Sequence, residues 1–159
     1  MNILIFSDTH KNIKPALELY ERIAAGVSVD LLIHCGDVLP DAAKLENKLH
    51  LPMIAVPGNN DGCISRDFRT VDTPAGRLFL THGHTEGVNY GLDRLYLLAK
   101  QENCRIACFG HTHVALNEEE AGIRFINPGS TSRPRDGSSG SCALLVATET
   151  ALSASILYL

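Results

Sequence analysis

The sequence lacks the features that mark several common classes of protein. No stretch approaches the ~20 consecutive apolar residues of a membrane-spanning helix, and no basic leader with a cleavage signal precedes the first apolar run. Basic residues are not in excess, since 14 lysines and arginines stand against 18 acidic residues, for a net charge of −4. We therefore expect a cytoplasmic protein without membrane insertion or nucleic-acid binding.

The cysteines follow neither a disulfide nor a zinc-binding pattern. Their number, five, is odd, and no C-x-x-C pair occurs among them. Most lie in apolar segments, where a free cysteine behaves as a small core residue. We interpret Cys104 and Cys108 in this way rather than as metal ligands.

The chain also lacks linkers, internal repeats and low-complexity segments. Its 159 residues, 45% of them hydrophobic and 20% charged, suit one globular domain. We expect a single domain that covers residues 1–159.

The early part of the chain alternates strands and helices, whereas the later part consists mostly of paired strands. The predicted elements are strands Asn2–Phe6, Asp30–His34, Met53–Val56 and Cys104–Phe109, helices Lys14–Ala25, Ala42–Leu49 and Asn89–Glu102, and hairpins Phe68–Asp72/Arg77–Thr81, Val114–Leu116/Ile123–Ile126 and Ser141–Ala147/Ala151–Leu159. Glu118, Glu119 and Glu120 read as the turn of the second hairpin. This order predicts a mixed α/β (α+β) fold, in which a two-sheet β-sandwich is flanked by helices.

Five predicted strands each run into a short polar cluster. The clusters are Asp8-Thr9-His10, Gly36-Asp37, Gly58-Asn59-Asn60-Asp61, His82-Gly83-His84 and Gly110-His111-Thr112-His113. Each alone has an ordinary explanation as a turn, a helix cap or a polar loop. Because ligands bind beyond the carboxyl ends of strands in α/β sheets, the five together predict one site with Asp37 at its centre.

The candidate ligands in these clusters are oxygen and imidazole donors, without a thiolate. They are Asp8, His10, Asp37, Asn59, His82, His111 and His113. Such donors suit Mn²⁺, Fe or Zn²⁺. Seven are too many for one ion but suit two ions that share a carboxylate, as in phosphatases, nucleases and aminopeptidases.

As a set, these motifs resemble the signature of the calcineurin-like metallophosphoesterase superfamily. The short chain and the segment Asn127-Pro128-Gly129-Ser130 … Pro134-Arg135 resemble its small bacterial and archaeal phosphodiesterase branch. A related retromer subunit shares the compact fold. The resemblance extends from Asp8 to Arg135 and implies an αββα sandwich.

The resemblance also implies a mechanism with two divalent metal ions, for which Mn²⁺ is the first expectation and Fe, Zn²⁺, Ni²⁺ or Co²⁺ are alternatives. The first ion would be held by Asp8, His10 and His113, the second by Asn59, His82 and His111, and both by Asp37. A hydroxide between the ions would attack the phosphoester. The sequence contains no G-x-S-x-G or Cys-His pattern that would indicate a protein nucleophile instead.

The chain departs from the wider superfamily at Asn60, where a histidine usually follows the Gly-Asn pair. An asparagine can donate a hydrogen bond but cannot act as an acid near neutral pH. We predict slow turnover and a bias towards good leaving groups, with Asp37, Asn59, Asn60 and His82 as the catalytic residues. Asp61 is expected to orient a ligand histidine.

Other residues near the motifs carry weaker signals. His84 and Arg135, with Arg133 beside it, are candidates for substrate contact, together with Asn60. His34 and His50 read as structural.

Three functions stay open on the sequence alone. The leading one is a phosphodiesterase that acts on a small-molecule phosphodiester. The alternatives are a phosphomonoesterase or nucleotide pyrophosphohydrolase with the same centre, and a non-catalytic metal-binding scaffold for protein interaction. A homo-oligomer is compatible with each of them.

Overall fold

The computed structural model describes all residues from Met1 to Leu159. It contains ten strands, three α-helices and one short 3₁₀ helix at Asn59–Asp61. The strands are β1 (Asn2–Phe6), β2 (Leu31–His34), β3 (Met53–Ala55), β4 (Phe68–Thr73), β5 (Gly76–Thr81), β6 (Cys104–Cys108), β7 (Ala115–Glu120), β8 (Ile123–Pro128), β9 (Ser141–Ala147) and β10 (Leu152–Tyr158), and the helices are α1 (Lys14–Ala24), α2 (Leu39–Leu49) and α3 (Asp93–Gln101).

The strands form two sheets, as the sequence predicted, and each sheet has five strands. The first sheet has the order β10-β9-β1-β2-β3, and the second has the order β4-β5-β6-β8-β7. β1, β2 and β3 pair in parallel, as do β5, β6 and β8, while the remaining pairs are antiparallel. The expected mixed two-sheet sandwich is therefore confirmed.

Alternating side chains on β1 show how the layers pack. Ile3 and Ile5 enter a core between the two sheets, where they meet Leu78 and Ile106 of the second sheet. Leu4 and Phe6 point the other way, into a second core formed with α1 and α2. A third core lies between α3 and the outer face of the second sheet. The order of layers is thus helix, sheet, sheet, helix.

Several predicted boundaries differ from the structure. α2 begins at Leu39 rather than Ala42, with a proline in its first turn. α3 begins at Asp93 rather than Asn89, because Gly91 takes a left-handed backbone with φ 147° that interrupts the helical pattern. Glu118, Glu119 and Glu120 lie on strand β7 rather than in a turn, and the hairpin turns at Ala121–Gly122.

Four of the five cysteines are buried free thiols, and the fifth, Cys63, is partly exposed in the loop after β3. Cys104 and Cys108 belong to the core of the second sheet, as expected. None of the three helices combines the length and the apolar character needed to cross a membrane.

Candidate metal centre

The carboxyl ends of β1, β2, β3, β5 and β6 meet where the two sheets lie side by side. Within the first sheet, the amide of Asp8 donates to the carbonyl of Gly36 at 3.0 Å. Between the sheets, the amide of His111 donates to Oδ2 of Asp8 at 3.1 Å. These bonds bring all seven predicted ligands to one place.

The first group of donors consists of Asp8, His10, Asp37 and His113, whose ligand atoms all lie within 4.8 Å of one another. Nε2 of His113 is 3.2 Å from Oδ1 of Asp8 and 3.1 Å from Nε2 of His10. Nε2 of His10 is 3.6 Å from Oδ2 of Asp37. Two carboxylates and two imidazoles at these distances form a group that could hold a divalent metal.

The second group of donors surrounds the side-chain oxygen of Asn59. That oxygen, Oδ1, is 3.1 Å from Nε2 of His82 and 3.1 Å from Nδ1 of His111. Nε2 of His82 is in turn 3.8 Å from Oδ1 of Asp37. The two oxygens of Asp37 therefore face different groups, Oδ2 towards the first and Oδ1 towards the second.

Asn60 holds the carboxylate of Asp37 in this orientation. Its backbone amide donates to Oδ1 at 2.8 Å, and its side-chain amide donates to Oδ2. Each carboxylate oxygen accepts more than one bond, so these contacts leave capacity for a metal on both oxygens. The structure thus places Asn60 against the central carboxylate, where it fixes the geometry.

The backbone at the site is unusual. Five of the seven donors have a left-handed conformation, with φ values of 52° for Asp8, 45° for His10, 67° for Asp37, 67° for His111 and 60° for His113. Non-glycine residues adopt this region at a steric cost. Such strain is concentrated where a fold over-determines the position of functional side chains.

Backbone carbonyls orient two of the histidines. Nδ1 of His82 bonds the carbonyl of Cys35 at 2.8 Å, and Nδ1 of His113 bonds the carbonyl of Arg133 at 2.7 Å. A proton held on Nδ1 leaves Nε2 as the unprotonated nitrogen, the form that binds a metal. Both Nε2 atoms face the donor groups.

His111 is turned the other way, with Nδ1 towards Asn59 and Nε2 2.9 Å from the side-chain amide of Asn89. Asn89 is the functional neighbour that sequence reasoning missed. It lies in the loop before α3, outside every motif, and no local pattern marks it.

Burial and charge set the protonation of the donors. Burial lowers the pKa of His10 and of His111, which favours the neutral ring. Burial opposes ionisation of Asp8, but the adjacent ring of His113, with Nε2 3.2 Å away, and the nearby His82 together bring the pKa of this carboxyl below its usual value. These shifts favour neutral rings at His10 and His111 and an ionised carboxylate at Asp8, whereas at His113 the adjacent carboxylate of Asp8 outweighs burial and raises the pKa.

One buried oxygen shows that the site suits a metal ion. Oδ1 of Asp8 is buried and has no hydrogen-bond partner in the protein, whereas its Oδ2 accepts from Ser7 at 2.6 Å. A buried carboxylate oxygen is normally paired. The unpaired oxygen faces His113 within the first group, where a cation would satisfy it.

The remaining predicted residues have varied positions. Asp61 bonds no ligand histidine, contrary to expectation: its carboxylate accepts from the amides of Val38 at 3.1 Å, Leu39 at 2.7 Å and Gly58 at 2.9 Å. It therefore positions the loop that carries Asp37 and the start of α2.

His84 lies beside the second group, with its ring centroid 5.3 Å from that of His82. Its Nε2 bonds the carbonyl of Cys63 at 2.8 Å, which ties the two neighbouring loops together. His34 is fully buried, accepts from the amide of Gly36 at 3.2 Å and contacts Thr9 at 3.3 Å, in keeping with a structural role.

A cleft of about 400 Å³ opens beside the first group. It is lined by His10, Lys11, Val38, Pro40, Asn60, Asp61 and Arg133. Arg133 is thus the loop arginine that borders the cleft, whereas Arg135, the residue favoured by the sequence, is not among its lining residues.

Comparison with known proteins agrees with this geometry. Residues 1–150 match the calcineurin-like phosphoesterase superfamily domain. The chain is 35% identical over 150 residues to a probable metallophosphoesterase, YsnB of Bacillus subtilis, covering 91% of this chain and 83% of that protein. It is 33% identical over 148 residues to the phosphodiesterase MJ0936 of Methanocaldococcus jannaschii, covering 81% and 83%.

A solved structure extends the comparison to the fold. Vps29 of Entamoeba histolytica, determined in complex with Zn²⁺, superposes with a TM-score of 0.77 at 20% identity, over 99% of this chain and 98% of that one. At this identity the likeness concerns the fold alone.

The fold and the donor set define a metal-dependent hydrolase of phosphoesters. The chain belongs to the calcineurin-like phosphoesterase superfamily. Membership implies that it binds a divalent metal.

Proposed function

We propose that the chain is a phosphodiesterase that uses two divalent metal ions, Mn²⁺ first among them. The observation that carries the proposal is the placement of Asp37, whose two oxygens face two separate groups of donors. A carboxylate shared in this way is the hallmark of sites that hold ions ~3.5–4 Å apart.

The seven donors would hold the two ions in two groups that share one carboxylate. Asp8, His10 and His113 would hold one ion, Asn59, His82 and His111 the other, and Asp37 both. A pair of dications supplies positive charge for the phosphoryl oxygens and acidifies the attacking water.

Asn60 accounts for the expected preference among leaving groups. Its side chain is engaged with Asp37 and carries no proton that it could release near neutral pH. The leaving group must therefore depart without an acid at this position, which favours activated aryl esters. Asn60→His should narrow the difference in rate between good and poor leaving groups, and an unchanged ratio would contradict this explanation.

The test is to load the purified chain with Mn²⁺ and to compare an aryl phosphodiester with the matching monoester. We expect hydrolysis that depends on metal, disappears with chelator and favours the diester, with close to two ions per chain by elemental analysis. A preference for the monoester would assign a phosphomonoesterase. Two bound ions without turnover of either ester would assign a scaffold.

A further inference from the structure

The cleft beside the first group has a cationic wall that the proposed metal ligands do not require. Lys11 and Arg133 both line it, next to His10 and Asn60. Neither cation forms an ion pair with any carboxylate of the chain. The protein as a whole is acidic, with a net charge of −4, so two unpaired cations on one wall set this cleft apart.

The single acidic side chain that borders the cleft is engaged elsewhere. Three backbone amides donate to the carboxylate of Asp61, so its charge is already solvated by the protein. Lys11 and Arg133 therefore keep their charge available for a ligand.

Lys11 occupies a backbone position that does not favour a lysine. Its φ is 65°, a conformation that glycine adopts without steric cost. The amide of Lys11 donates to the buried carboxylate of Asp41 at 2.7 Å, and the same oxygen accepts from Thr9 at 2.8 Å. The fold thus holds a charged side chain in a strained position immediately after a predicted metal ligand, which points to a role for that side chain.

Arg133 is anchored to the same framework from the other side. Its carbonyl accepts from His113 at 2.7 Å, and its amide donates to the hydroxyl of Ser130 at 2.8 Å. Both cations therefore start from backbone that is fixed relative to the donor groups, and both residues line the cleft.

We propose that Lys11 and Arg133 form a subsite for a second anionic group of the substrate. The proposal rests on the phosphodiesterase function above and narrows its substrate class: the preferred diesters carry a further carboxylate or phosphate on the substituent that lies in the cleft. A bound metal would supply charge for the oxygens of the reacting phosphoryl group, which would leave the two side-chain cations to recognise the remote anion.

The test uses two diesters that differ in one charge, 4-nitrophenyl butyl phosphate and 4-nitrophenyl 3-carboxypropyl phosphate, with the Mn²⁺-loaded chain. We expect kcat/KM to be roughly tenfold higher for the carboxylated ester, as two partly exposed charge-assisted contacts allow. The preference should fall to within about twofold in the double variant Lys11→Gln/Arg133→Gln and should weaken as salt is raised.

Arg135→Gln is the matched control, because it removes the same charge from the same loop outside the lining of the cleft. The control should keep the preference for the carboxylated ester. Equal kcat/KM values in the wild type would overturn the proposal. So would an equal loss for both esters in the double variant, which would place the two cations on the reacting phosphoryl group.

Binding separates this proposal from the function on which it rests. If neither ester is hydrolysed, the phosphodiesterase assignment fails, and calorimetry with the metal-loaded chain compares 4-phosphonobutanoate with butylphosphonate. Tighter binding of the carboxylated phosphonate by the wild type, lost in the double variant, supports the anionic subsite. Equal binding of the two phosphonates overturns it.

Discussion

At the scale of single residues, the site depends on how one carboxylate is held. Asp37 is almost fully buried and is bonded by both the backbone and the side chain of Asn60. Its two oxygens face His10 on one side and His82 on the other. Each of the other six donors belongs to one group only. Removal of Asp37 should therefore affect both proposed ions, whereas removal of any other donor should affect mainly one.

Asp37→Ala should therefore disrupt both ions, because it removes one donor from each group. We expect less than about half an ion per chain and no detectable hydrolysis, whereas His10→Ala should retain about one ion. Elemental analysis of the purified variants after dialysis against Mn²⁺ gives the stoichiometry. An Asp37→Ala protein with two ions and full activity would rule out the shared carboxylate.

His34 gives a second prediction at this scale, for stability against pH. Burial lowers the pKa of His34 to about 4, below the ~6.5 of an unfolded histidine. Between these two pH values, His34 is protonated in the unfolded chain but neutral in the folded chain. The contribution of neutral His34 to the free energy of unfolding is fully present above about pH 6.5. It is lost as the pH falls towards 4, by about 3 kcal/mol in total.

Urea titrations of the metal-free protein from pH 7 to pH 4.5 measure this loss. His34→Asn preserves an acceptor for the amide of Gly36 and should show a shallower fall than the wild type. His50→Asn is the control, because His50 is exposed and its left-handed φ of 53° tolerates asparagine. Parallel curves for wild type and His34→Asn would contradict the assignment.

At the scale of elements, the strand ends approach so closely that some positions have no room for a side chain. A Cβ on Gly110, after β6, would lie 2.0 Å from Oγ of Ser7 and 2.8 Å from Oδ2 of Asp8, after β1. At this point, the backbone of the loop after β6 therefore packs directly against side chains of the loop after β1. This contact brings His111 within hydrogen-bond reach of Asp8.

Gly110→Ala should lower the free energy of unfolding by about 1–3 kcal/mol, the usual cost of overpacking, and should also weaken metal binding. Gly26→Ala is the matched control, since a Cβ there meets nothing within 4 Å. Chemical denaturation and metal titration of both variants measure the two effects. Equal free energies of unfolding for the Gly110→Ala and Gly26→Ala proteins would contradict this prediction, because the loops after β1 and β6 would then move apart without loss of stability.

At the scale of the whole molecule, the donors are divided between the two sheets. Asp8, His10, Asp37 and Asn59 follow strands of the first sheet, while His82, His111 and His113 follow strands of the second. Each group combines donors from both sheets. A bound metal would therefore join the sheets at their carboxyl ends and stabilise the fold as a whole.

Mn²⁺ at about 100 times its dissociation constant should add roughly 3 kcal/mol per site, which raises Tm by about 5–10 °C for each occupied site in a chain of this length. Scanning calorimetry with Mn²⁺ and with chelator measures the shift. Asp37→Ala should show little of it, which controls for nonspecific effects of the ion. An equal rise in that variant would place the stabilising ion elsewhere.

The amino-acid sequence by itself determined the family, the sandwich of two sheets and the seven candidate donors. These depend on local patterns: an apolar strand followed by a glycine and a carboxylate or histidine is recognisable within a few residues. The predicted start of α2 was less accurate because the carboxylate of Asp61, distant in sequence, accepts from the amide of Leu39 at the start of the helix. The predicted start of α3 was less accurate because Gly91 has a left-handed backbone.

Only the tertiary structure decided which side chains support the donors. Asn89 reaches His111, Asp61 bonds the loop after Asp37, and Arg133 rather than Arg135 lines the cleft. Each of these contacts joins loops that are distant in sequence. The strand order within one sheet brings Asp61 to Val38 and Asn89 to His111, and the stacking of the two sheets brings Arg133 to the cleft. A sequence motif records which groups can bind a metal, whereas the packing of the sheets sets the direction in which each of them points.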